Sequence, residues 1–187
     1  MVDCYPKDAR PRMTEAELVR LCQGGSMAAY EQLYRSTAPR ALQTARLISG
    51  NWATAEDCLQ EAAIRAWRAI GRFDPGRPFA PWFLKIVVNE ALKARRRPRL
   101  FELPEDIAGT TDLFEGLADR HAVADALALL DTAHRAPLVL FYFNDLTEKE
   151  IAAVLGLRVT TVKSRLHTAR RRVAEHLLAK GADSFEW

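Results

Sequence analysis

Apolar residues recur along this chain at intervals of three and four rather than alternately, so nearly every segment is predicted to be helical. Thr14 and Glu17 have the spacing of a capping box, which starts a short helix ending at Gly24 and Gly25. Ser26 caps the next helix, in which Tyr30, Leu33, Tyr34, Ala41, Ala45 and Ile48 keep helical spacing. Pro39 lies between the two halves of that set and predicts a kink or a restart. Thr54 with Asp57 marks a further start. Behind it Leu59, Ala63, Ala66, Trp67 and Ile70 form one apolar stripe. The opposite side carries Asp57, Gln60, Glu61, Arg65 and Arg68. Phe73 to Pro78 is loop punctuation. A helix then runs from about Pro81 to Arg97, with Trp82, Phe83, Ile86 and Val87 inward, and Pro98 stops it.

Residues 98–111 contain Pro98, Pro104 and Gly109 without any period and read as a linker. Fully extended it would reach ~50 Å. Helices resume near Asp112 and continue to Leu130. Leu138 to Phe143 could pass for a buried strand, but its helical surroundings and lack of a partner strand favour helix. Pro137 then belongs in a first turn or at a kink.

Residues 147–172 are the most informative stretch. Thr147 and Glu150 form a second capping box, Ile151, Ala152 and Leu155 supply an apolar face, and Gly156 can take the left-handed conformation that ends a helix. The following helix places Val162, Leu166, Ala169 and Val173 on one face and begins at Arg158. Two short helices joined by a glycine turn, the second rich in Lys and Arg, describe a helix-turn-helix. The face opposite the apolar one holds Thr160, Ser164, His167, Thr168 and Arg171, placed to reach base edges. Lys163, Arg165, Arg170 and Arg172 flank it and suit phosphates.

Composition sharpens this picture. The 187 residues are 49% apolar and 27% charged, as in a folded globular protein. The net charge is only +3, but it is patterned. Lys85 to Arg99 holds six basic residues against Glu90 alone, net +5. Arg158 to Val173 holds six basic residues and no acid. Between them, Pro98 to His121 has two basic residues and six acids, net −4. Any one block could be a solvated helix face, but two basic blocks around an acidic stretch suggest two polyanion-binding surfaces. Cys4, Cys22 and Cys58 offer neither a disulfide framework nor a zinc ribbon. His167 lacks the neighbours of a metal ligand. No cofactor is expected. Without a phosphate loop, a carboxylate pair or a nucleophile motif, neither is an enzyme. The N-terminus has no apolar core and no apolar run could span a bilayer, so the protein is expected in the cytoplasm.

Residues 146–173 (LTEKEIAAVLGLRVTTVKSRLHTARRRV) resemble the promoter-binding domain of bacterial sigma factors of the extracytoplasmic function (ECF) group. AEDCLQEAAIRAW, followed by PFAPWFLKIVVNEALKARRR, resembles their N-terminal core domain. The order and spacing match as well. The resemblance implies an all-α fold of two small helical domains, 14–97 and 112–178, joined by a flexible acidic linker, 98–111. It implies docking of Asp57, Gln60 and Glu61 on the β′ subunit of core RNA polymerase, and of the C-terminal domain on β. Asn89 would read an unstacked −10 base, because an amide offers both donor and acceptor. The loop from Phe73 to Phe79 would form the pocket wall, and Lys93, Arg95, Arg96 and Arg97 would hold the backbone. Trp82 reads as core rather than a stacking platform. Thr160, Thr161, Lys163, Ser164, Arg165, His167, Thr168 and Arg171 would meet the −35 element. Promoter DNA, core polymerase and an anti-sigma factor are the implied partners. The competing reading is a stand-alone helix-turn-helix regulator, which leaves the Asp57–Glu61 surface and the first basic helix without a role.

Overall fold

Side-chain caps decide where the helices begin. The computed structural model describes residues 13–94 and 120–179, and every regular element among them is helical. Helix α1 (Glu15–Gln23) opens on the expected capping box: the Thr14 hydroxyl accepts from Glu17 N, and Thr14 N donates to the Glu17 carboxylate at 2.7 Å. Ser26 caps α2 (Met27–Ser49). The start of α3 (Trp52–Ala69) corrects the sequence reading. Asn51 is its cap, accepting from Thr54 N at 2.8 Å, while Thr54 is buried within the first turn. A 3-10 turn, Ile70–Arg72, follows.

Three prolines lie within helices. Helix α2 runs unbroken through Pro39. Pro39 removes a single helical hydrogen bond on an exposed face, and the residues on both sides of it, Leu33 and Ala41, are buried in one core. Helix α4 (Phe79–Ala94) begins two residues earlier than predicted, so Pro81 falls in a first turn whose N–H groups have no helical partner anyway. In α6 (Thr132–Tyr142), capped by Asp131, Pro137 is interior rather than in the first turn, and it is buried.

Helices α1–α4 form one bundle around Val19, Leu33, Ile48, Phe79, Phe83 and Val87. Helices α5 (Arg120–Leu129), α6, α7 (Glu148–Leu155) and α8 (Val159–Ala179) form a second around Leu130, Leu140, Ile151, Leu166 and Leu177. The predicted linker 98–111, Arg95 to Arg97 and residues 112–119 lie outside the described residues, as does Cys4. The two bundles touch, α2 against α6 and α4 against α7. Arg135, fully buried on α6, donates across this seam to the Ile48 carbonyl at 3.4 Å and within its own bundle to Leu130 O at 2.6 Å.

Candidate nucleic-acid interface

The helix-turn-helix is built as its sequence predicts. The Thr147 hydroxyl accepts from Glu150 N, and Thr147 N donates to the Glu150 carboxylate at 2.9 Å. Thr147 therefore holds the Glu150 carboxyl below its ordinary range, through its hydroxyl first and its backbone N–H second. Gly156 closes α7 at φ 66°, a conformation that strains any side chain. The Arg158 carbonyl then accepts from Thr161 N and Val162 N, opening α8. Burying Val162, Leu166, Ala169, Val173 and Leu177 fixes the rotation of α8. Thr160, Lys163, Ser164, His167 and Arg171 are consequently exposed, and Thr161, Arg165 and Thr168 half-buried.

Not every flanking cation remains available to phosphate. Arg170 lays its guanidinium over Phe141 at 4.8 Å and donates from Nε to the Tyr142 hydroxyl at 2.9 Å. It clamps α8 to α6, a role invisible to the helical period because the aromatic pair belongs to another helix. Lys163 lies 3.6 Å from Glu148, Arg171 3.6 Å from Glu175, and Arg172 3.6 Å from Asp131. These exposed pairs are weak and readily exchanged for phosphate.

In the first bundle Asp57, Gln60 and Glu61 share the exposed side of α3, opposite buried Leu59, Ala62 and Ala66. Glu61 accepts from Arg65 Nε at 2.7 Å, and Arg65 Nη1 reaches Glu90 on α4 at 3.2 Å. Glu90 also accepts from Lys93 at 3.0 Å. The Glu61–Arg65 half of this chain was legible as an i,i+4 pair. Glu90 was not, since only packing brings α4 beside α3. Asn89, next to Glu90, is half-buried and Lys93 exposed.

The loop before α4 divides differently from the predicted pocket wall. Phe73 and Phe79, at its ends, point into the core. Trp82 is half-buried and packs on Phe73 with ring centres 4.6 Å apart, in keeping with a core role. What remains outward is Asp74 to Pro78, where the Asp74 carboxylate accepts from Gly76 N at 2.9 Å. Sequence reasoning missed the residues that hold this loop. Gln23 Nε2 donates to the carbonyls of Ile70 and Phe73 at 3.1 and 2.7 Å, and Phe79 N donates to Glu15 at 2.6 Å.

Cys22 and Cys58 are buried free thiols. Burial, with Glu90 and Asp57 adding to it, pushes the Cys58 thiol up to about 11, so it stays protonated and unreactive. No cluster that could hold a metal ion exists among the described residues, and no helix there is long and apolar enough to cross a membrane.

Comparison with known proteins places these features in order. A model of Sigma-70 region 2 matches residues 33–100, and one of Sigma-70, region 4, matches 120–173. The chain is 32% identical over 169 residues to the ECF RNA polymerase sigma factor SigE of Mycolicibacterium smegmatis, covering 85% of this chain and 65% of that one. It is 32% identical over 158 residues to the ECF RNA polymerase sigma factor RpoE of Cereibacter sphaeroides, covering 80% and 87%. In three dimensions it is similar to CnrH in complex with the cytosolic domain of CnrY, with TM-score 0.66, 29% identity, and 90% and 99% of the two chains covered.

Proposed function

The chain belongs to the extracytoplasmic function family of RNA polymerase sigma factors, and on that premise we propose that it directs core polymerase to specific promoters and helps open them. One observation carries the reading: a region 2 match precedes a region 4 match on a single chain, and each bundle presents an outward face suited to its task. A stand-alone helix-turn-helix regulator would have no use for the first of these, and that alternative is set aside. Like its relatives, the protein is regulatory rather than an enzyme, and its place of work is the cytoplasm, where the polymerase is.

The division of labour follows from surface chemistry. Asp57, Gln60 and Glu61 dock on β′. They are exposed, polar and backed by a rigid apolar stripe, so docking needs little reorganisation. Asn89 reads an unstacked −10 base while Lys93 and Arg95 to Arg97 hold the strand. Residues 14–97 thus form the core-binding and −10 domain. Residues 112–178 form the −35 domain, with 98–111 as the connection between them. Helix α8 enters the major groove. Ser164, His167 and Thr168 address base edges, Thr160, Thr161 and Arg171 border them, and Lys163 and Arg165 take phosphates. An anti-sigma factor would regulate the chain, as CnrY accompanies CnrH in the similar structure. Gel shifts and run-off transcription with and without core enzyme test the whole: the expected result is promoter-specific binding only with core. Tight specific binding by the chain alone, unchanged by core, would overturn it.

A further inference from the structure

One helix holds both ends of the loop that precedes α4. Helix α1 is fixed at its start by the Thr14–Glu17 box and along its inner face by buried Leu18, Val19 and Cys22. Its last residue, Gln23, donates from Nε2 where the 3-10 turn gives way to extended chain, to the Ile70 carbonyl at 3.1 Å and the Phe73 carbonyl at 2.7 Å. Its first residue, Glu15, accepts at 2.6 Å from Phe79 N, the opening N–H of α4. Helix ends leave such carbonyls and N–H groups short of partners, so either contact alone is a cap. Together they clamp Phe73 and Phe79 from the two ends of a single helix, about 12 Å apart along its axis. Between the clamps the loop is stiff already. Pro75 and Pro78 fix their own φ, the Asp74 carboxylate accepts from Gly76 N at 2.9 Å, and Arg77 N donates to the Asp74 carbonyl at 3.0 Å. The shape of the loop is thus set within itself, and α1 sets where that shape stands.

From this we infer that Gln23 and Glu15 are positioning residues for −10 selection: α1, which carries no proposed DNA contact, holds the outward Asp74–Pro78 wall in place for the base that Asn89 reads. The inference rests on the reading that Asn89 and this loop receive an unstacked base. A pocket that selects by hydrogen bonds loses discrimination when one wall shifts by about 1 Å, even if every group that touches the base is still present. The clamps are suited to that task because they act on placement alone. The Phe73 and Phe79 side chains are buried in the core, so the bundle keeps its apolar anchors when a clamp is removed. What is lost is the fixed position of the backbone between them.

The test uses the full chain bound to core polymerase. Transcription from promoters substituted singly across the −10 element gives, at each position, the ratio of output from the best base to output from the worst. Gln23→Leu keeps the bulk of the side chain and removes its donors. It is expected to lower that ratio about three- to tenfold at the position that Asn89→Ala also relaxes, with affinity for core unchanged. Glu15→Ala, at the other end of the loop, shifts the same ratio in the same direction and stands in if Gln23→Leu folds poorly. Gln23→Lys returns a donor to the two carbonyls and restores the ratio. A role confined to stability would lower transcription from every promoter by one factor and leave the ratio as it was. Ratios unchanged in both Gln23→Leu and Glu15→Ala would overturn the inference. If Asn89→Ala alters the ratio in that case, the −10 reading stands and only the role of α1 falls; if Asn89→Ala leaves it unchanged as well, the −10 reading has failed with it.

Discussion

Arg65 Nη1 stands 3.2 Å from the carboxylate of Glu90, while its Nε holds Glu61 at 2.7 Å. One guanidinium thereby ties the proposed docking face of α3 to α4, the helix that carries Asn89. Glu90 is nearly buried and answers two cations, Arg65 and Lys93. Glu90→Ala is expected to lower stability by about 1–2 kcal/mol, short of the loss from a fully buried pair because both cations reach water. Urea titration measures this. A midpoint that does not move would mean the α3–α4 ion chain contributes nothing.

Replacing Gln60 and Glu61 together by alanine is expected to weaken core association about tenfold, with far-ultraviolet dichroism unchanged. Titration of fluorescent core enzyme reads the affinity. Wild-type affinity in the double variant would move the docking surface elsewhere.

Asn89→Ala should relax selection at one −10 position while leaving affinity for core intact. The half-buried amide is replaced by a side chain with neither donor nor acceptor, so discrimination there falls by about 1–3 kcal/mol. Transcription from promoters substituted singly across the −10 element is the assay. An unaltered preference at every position contradicts the assignment.

The basic residues of α8 should behave in two ways. Lys163→Ala or Arg165→Ala weakens holoenzyme binding broadly across sequences and lowers the salt slope by about one. Arg170→Ala removes the stack on Phe141 and the bond to Tyr142, so it lowers stability by about 1–2 kcal/mol with little effect on that slope. Equal salt slopes in all three variants would show that Arg170 binds phosphate as well.

Acid should attack both capping boxes. Glu150 is held below its ordinary range by Thr147, and Glu17 by Thr14, its backbone bond first and its hydroxyl second. A lowered folded-state value means that this stabilisation is complete above the unfolded value and is lost as pH falls through the folded one. Glu150→Gln keeps an acceptor for the box and cannot titrate. Its stability difference from the wild type is expected to be constant near neutrality and to shrink below about pH 4.5. Thermal melts from pH 3 to 7 follow it, and a constant gap throughout would contradict the assignment.

The sequence by itself determined the helices, most of their caps and the outward faces. Capping boxes at Thr14 and Thr147, the turn at Gly156 and the stripes through Leu59 and Val162 are local. Each is decided within one or two turns by hydrogen-bond geometry and the 3.6-residue period. The same period placed Asp57, Gln60, Glu61 and, on α8, Thr160, Ser164, His167 and Arg171 toward solvent, whereas Thr168 of that face is half-buried. Helix α2 makes no restart at Pro39, because the loss of one hydrogen bond is a local quantity while the packing that overrides it is not. Only the tertiary structure could pair Glu90 with Arg65, give Arg170 to Phe141 and close Thr44 on Asn144. The last two residues are 100 positions apart. No periodicity encodes such a meeting, since contacts between helices depend on how whole buried faces settle against each other.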